Sequence, residues 1–197
     1  MKKKTKKKNE KQIKRIMRIS YVFLILAGIA LILAAGYMGY YEFFVHNLYR
    51  SFKFNFISGI FGYSGMLLLL LYFLYLLTVI TFINPQILKW KKRVPFTVAG
   101  AVVLCLTIWF LKFSVTEINL EAKDMKSYAN GEWNVKELEV KHVDRTPGFS
   151  MATIDTSEGE FLLYRRIYAT KPGEIYRITY LEETKTVIDI DLISDGE

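Results

Sequence analysis

Three long stretches of this chain are apolar and free of charge, at residues 19–41, 57–83 and 94–111. They hold 23, 27 and 18 residues. At a rise of about 1.5 Å per residue even the shortest covers about 27 Å, close to a bilayer hydrocarbon core of about 30 Å. The pattern predicts three transmembrane helices at about 19–41, 57–83 and 94–113, with Lys112 near the end of the last, where its stem can snorkel to the interface. From Ser114 onward the periodicity changes. Residues 116–131 are rich in helix formers and end in Asn130 and Gly131, which fits a short helix or stalk across 115–132. Beyond it, apolar and polar residues alternate in five segments, 135–143, 150–156, 161–166, 175–181 and 187–193. Turn chemistry separates them: Thr146, Pro147 and Gly148, then Ser157, Glu158 and Gly159, then Lys171, Pro172 and Gly173, then Glu182 to Lys185.

The expected fold is a membrane protein of α+β type, three transmembrane helices followed by a small all-β domain at 133–197. Five short strands leave two open edges, so a partly closed five-stranded barrel of the OB or SH3-like kind is the economical arrangement, with a two-layer sandwich as the alternative. The one cysteine, Cys105, lies inside the third apolar run among Leu104, Leu106 and Ile108, where it serves as a small hydrophobe. No disulfide can brace so small a β core, which makes contact with the helices or with a partner its remaining support.

Charge sharpens this layout. Residues 1–114 carry 17 Lys/Arg against two acids, a net of +15, whereas residues 115–197 carry 10 against 17, a net of −7. The overall +8 averages two unlike halves, and a nucleic-acid reading drawn from it would be misled. Within residues 1–18 there are ten cations and one acid, a composition that predicts a disordered cytoplasmic tail touching anionic lipid headgroups. The connector after the second run holds four cations (Lys89, Lys91, Lys92 and Arg93), and the connector at 42–56 holds two. The positive-inside rule then places the N-terminus and the second connector in the cytoplasm and the acidic domain outside. A signal peptide is the rival reading of the first run, with Ala34, Ala35 and Gly36 resembling a cleavage site. The run is longer than a usual apolar region of about 7–15 residues, and aromatic residues follow it.

Candidate functional residues are few. Glu42, His46 and Arg50 are four apart and would share one face of a continued helix at the outer interface, either as a ligand or proton site or as an ion-paired turn. Phe52 to Phe56 alternates apolar and polar residues, which reads as a stretch lying along the interface. Gly28, Ala35 and Gly39, and then Gly59, Gly62 and Gly65, form small-residue strips of the kind that let helices approach closely in lipid. Tyr72 and Tyr75 lie deep in the second run, where a hydroxyl needs a partner on a neighbouring helix or a polar pathway.

Catalytic sets are harder to find. His142 and Asp144 would project from one strand face, but no nucleophile-elbow serine or cysteine accompanies them. Phosphate loops, GxGxxG and metal motifs are absent from the sequence, so no cofactor or metal is expected. Arg165, Arg166 and Tyr168 make a small basic–aromatic cluster in an acidic domain, and no nucleic-acid partner is expected. The acids Glu182, Glu183, Asp189 and Asp191 lack calcium-loop spacing and fit a solvated strand face.

No span carries an ionised residue, which argues against a stand-alone carrier or pump. The expectation is a non-enzymatic envelope protein of the cell membrane. Its outward domain mediates protein interaction or ligand sensing, and its helices are an anchor that binds an envelope partner or a second copy. An accessory transporter or channel subunit is the alternative, and a membrane-bound hydrolase is a weaker one.

Overall fold

The computed structural model describes residues 2–83, 90–145, 151–164 and 170–194, and in it three helices precede five strands. Helix α1 is Lys2–Phe44 and α2 is Leu48–Thr78, continued by one π-helical turn at Val79–Ile83. Helix α3 is Trp90–Ala129. Among the described residues three segments, Ile13–Phe44, Leu48–Phe82 and Val94–Ala129, are long and apolar enough to cross a membrane. Only 11%, 17% and 6% of their most apolar windows is buried, so the chain barely covers its own apolar surface. Three of the polar side chains within these helices are satisfied locally. Thr78, Thr107 and Ser114 each donate a hydroxyl hydrogen bond to the carbonyl four residues earlier, at 2.8, 2.7 and 2.7 Å.

Two boundaries depart from the sequence pattern. Helix α1 reaches back through the basic tail to Lys2, where composition predicts disorder. The tail lacks Gly and Pro, and lysine extends a helix that is already nucleated at little cost. Helix α2 begins at Leu48, so the stretch expected along the interface is its first turns. The alternation at Lys53 and Asn55 masks a helical spacing in which Leu48, Ser51 and Phe52 are the buried positions. The connector at 84–89 lies outside the described residues, as do Thr146, Pro147 and Gly148 and the cluster of Arg165, Arg166 and Tyr168.

The chain divides into two compact units, and the division falls inside the helices. One unit comprises Met1–Ala34 and Phe61–Val115; the other comprises Ala35–Ile60 and Thr116–Glu197. In the first, Phe23 of α1 meets Tyr75 of α2 with ring centroids 6.1 Å apart. Tyr63 of α2 stands edge-on to Phe110 and Phe113 of α3, each at 6.1 Å.

In the second unit, β1 (Asn134–Arg145), β2 (Ala152–Thr156), β3 (Gly159–Leu163), β4 (Ile175–Tyr180) and β5 (Val187–Ser194) form one antiparallel sheet in the order β3-β2-β1-β4-β5. The central strand β1 serves two neighbours in turn. Asn134 to Glu139 pair with β4, and Val140 to Arg145 pair with β2, with a bulge between Val140 and His142. The turn before β4 satisfies the backbone at this bend. The Gly173 N–H donates to the Val140 carbonyl at 2.8 Å, and the Val140 N–H donates to the Glu174 carbonyl at 3.1 Å. Gly173 has φ of 87°, a conformation glycine takes without strain.

The sheet is not closed, and the expected OB or SH3-like barrel is not formed. Leu162 of β3 makes one isolated parallel bridge to Thr186, the residue before β5, in which the Leu162 N–H donates to the Lys185 carbonyl at 3.0 Å. Closure would bury the apolar face by strand pairing alone. Here helical residues cover it instead, and the core of Leu138, Val140, Ile154, Phe161, Ile178 and Val187 includes Leu48 from α2.

Candidate functional site at the helix–sheet joint

The joint is built by residues from the start of α2 and the end of α3. Leu48 joins the main sheet core, and Phe52, one turn later, packs with Tyr164, Leu181 and Ile188. Phe52 is 0% exposed, and its ring lies 5.8 Å from that of Tyr164. Met125 and Tyr128 of α3 pack on the same cluster. Tyr128 stacks on Tyr49 of α2 with centroids 3.3 Å apart and planes 12° from parallel. Helix α3 stops just beyond. The Glu132 N–H donates to the Ser127 carbonyl at 2.8 Å around Gly131, whose φ of 77° makes this a Schellman-type cap.

Asp124 is the polar centre of the joint and is 0% exposed. Its Oδ1 accepts from the Glu183 N–H at 3.0 Å, and its Oδ2 accepts from the Thr184 N–H at 2.9 Å and the Thr184 hydroxyl at 2.5 Å. A helical carboxylate thus caps the β4–β5 turn as it would cap a helix N-terminus. The turn needs this hold, because Lys185 there has φ of 54°, uncommon for a residue with a side chain. Lys123 reinforces it with an exposed ion pair to Glu183 at 3.3 Å. One turn before Asp124, the Glu121 Oε2 is buried with no hydrogen-bond partner among the described residues, and Glu117 lies a turn earlier on the same face.

Residues singled out in the sequence are distributed differently. Helix α1 ends at Phe44 and α2 starts at Leu48, so Glu42, His46 and Arg50 do not share a continued helical face. Asn47 breaks the run by capping α2, its Oδ1 accepting from the Arg50 N–H at 3.0 Å. His46 and Arg50 instead line a cavity of about 480 Å³ at the turn, and Glu42 is not part of its wall.

The two small-residue strips also separate. A Cβ at Gly65 would lie 2.8 Å from Leu31 of α1, and one at Gly62 would meet Ala34 at 3.8 Å, so these two admit close packing. At Gly28 and Gly39 a Cβ would meet nothing within 4 Å, and Ala35 is exposed, so the α1 strip packs on nothing within the described residues. Gly59 lies within α2. Tyr75 packs on Phe23, and Tyr72 neighbours the ring of Phe73 at 5.5 Å.

His142 and Asp144 both lie on β1 with exposed side chains. Among the described residues no group of three or more His, Cys, Asp or Glu side chains is placed to hold a metal ion.

Asp124, Leu48 and Phe52 are the residues that sequence reasoning passed over. The spacing of Leu48 and Phe52 was a usable helical signal, but Asp124 bonds residues 59 and 60 positions away and has no local signature. No protein-family model, curated protein or solved structure matches the chain.

Proposed function

We propose that this chain is a non-enzymatic integral membrane protein of the cell envelope whose sheet domain mediates protein interaction or ligand sensing. The N-terminus and the second connector face the cytoplasm, and the sheet domain lies outside. Helices α1 to α3 anchor it and offer an assembly surface. The apolar exterior of the helices and the charge asymmetry of the connectors support the membrane placement.

One observation carries the functional part of the reading. The sheet core is completed by Leu48 and Phe52 of α2 and clasped by Asp124 of α3, and both helices run unbroken into the apolar unit. A domain serving only as a passive appendage needs no such joint. A partner or ligand that reshapes the sheet edge would work directly on the helix ends, and this coupling is what a sensor or docking module requires. The test is photo-crosslinking in cells from positions on the exposed strand faces of the full-length protein. A discrete envelope partner, reduced by Asp124→Ala, is expected. Recovery of no crosslinked partner, or of one set insensitive to the joint, overturns the reading.

A second reading, an accessory subunit of a transporter or channel, draws on a different feature. The π-helical turn holds Thr81, whose buried hydroxyl has no partner among the described residues, beside a cavity of about 260 Å³ lined by residues of α2, the π turn and α3. Turns of this kind are common at functional sites. Thr81→Val should alter flux in reconstituted vesicles if this reading holds, and unchanged flux removes it.

A further inference from the structure

The turn between α1 and α2 carries a cavity that neither reading uses. Its cavity of about 480 Å³ falls in the size range of small-molecule sites. Arg50, Lys53 and His46 contribute to its wall, and no carboxylate does. Among the described residues Arg50 and Lys53 form no ion pair, so two cations one helical turn apart face the cavity with their charge uncompensated. Aromatic residues also line it. The Tyr40 ring lies 5.6 Å from Phe44 and 5.0 Å from Phe54, giving a preformed apolar surface beside the charges. The uncharged stretches 19–41 and 57–83 adjoin this turn, so on the membrane reading it sits at the depth of lipid headgroups.

We propose that this cavity binds the headgroup of an anionic phospholipid in the outward leaflet, one whose phosphodiester charge is not offset by a headgroup ammonium as it is in phosphatidylcholine. Arg50 supplies the planar fork that matches phosphate oxygens, and Lys53 adds a point charge from the next turn. Tyr40, Phe44 and Phe54 cover the glycerol and the first methylenes of the acyl chains. This site is separate from the basic N-terminal tail, which on the same reading meets the opposite leaflet. The inference rests on the membrane placement proposed above.

The experiment uses full-length protein in vesicles of phosphatidylcholine, of phosphatidylcholine with phosphatidylglycerol, and of phosphatidylcholine with added inorganic phosphate. An amine-reactive label is scored at Lys53 relative to Lys112, an exposed lysine at the end of the third apolar run. That ratio should fall about tenfold with phosphatidylglycerol, the factor one charge-assisted contact supplies. Inorganic phosphate should leave it unchanged. Arg50→Gln should abolish the protection and Arg50→Lys, which keeps the charge but loses the fork, should keep only part of it, with circular dichroism confirming that both variants are folded. Equal ratios in the two lipid mixtures overturn the proposal. Equal protection by inorganic phosphate overturns the lipid assignment and leaves a soluble-anion site. Failure of the protein to float with the vesicles would instead overturn the membrane placement, so the two failures are distinguishable.

Discussion

Asp124 shows how much one side chain decides in this protein. It is fully buried and holds two backbone N–H groups and one hydroxyl of the β4–β5 turn. Asp124→Ala leaves those donors without an acceptor, and hydrogen bonds to a charged group contribute about 1.5–3 kcal/mol each. Since the exposed turn can recruit water, a loss of about 2–4 kcal/mol is expected, read as a lowered denaturant midpoint of the full-length protein in detergent. Glu174 makes a pH-dependent contribution. The Tyr176 hydroxyl donates to it and Lys171 pairs with it, and together these hold its carboxyl below the ordinary value of 4.5. A depressed carboxylate contributes stability that is present above the unfolded-state value and disappears as pH falls through the folded one. Acid titration of stability should therefore be shallower in Tyr176→Phe than in the native chain over that interval. Identical acid limbs would show that this contact contributes nothing. Tyr176 and Glu174 were readable only as a strand residue and a turn residue, although they stand two positions apart and their contact is local.

At the scale of elements, the helices were legible and their ends were not. Apolar runs of 23, 27 and 18 residues imply helices, but α2 begins nine residues before its uncharged run and α3 continues past Lys112 to Ala129. Polar residues continue a helix wherever another element covers one of its faces, and here the sheet covers Leu48, Phe52 and Met125. Phe52→Ala is expected to cost about 3–5 kcal/mol, as for other buried aromatics, and to loosen the sheet first. Hydrogen exchange should show lost protection in β5 before any change in the apolar parts of the helices; uniform loss would refute the joint as a local cooperative unit. The small-residue strips make opposite predictions. Gly65→Leu forces α2 away from Leu31 and should lower thermal stability by several degrees. Gly28→Leu should be neutral for the isolated protein, because nothing lies within 4 Å of a Cβ there. Equal effects would mean that the α1–α2 contact is not the one described. All five strands were legible from period-two alternation and from turn residues, to within a few positions. Glycines cannot by themselves say which neighbour they admit, so only one of the two strips was assigned a real contact.

For the whole molecule, the question is how an acidic sheet unit and an apolar helical unit are held in one chain. Reporter fusions after Asn84 and after Gly131 should report opposite sides of the membrane, cytoplasmic and external in that order. Two cytoplasmic signals would refute the proposed topology. The sequence by itself determined three apolar helices, five strands, the Asn130–Gly131 helix end and the asymmetry of charge. Each of these follows from periodicity over a few residues or from simple counting, and neighbouring residues suffice to encode them. Only the tertiary structure decided that the sheet stays open, that α2 fills its core and that α3 clasps its last turn. Those outcomes depend on which distant surfaces meet. A barrel and a helix-covered open sheet bury the same alternating strands, and the choice fell to Leu48, Phe52 and Asp124, whose partners lie far along the chain.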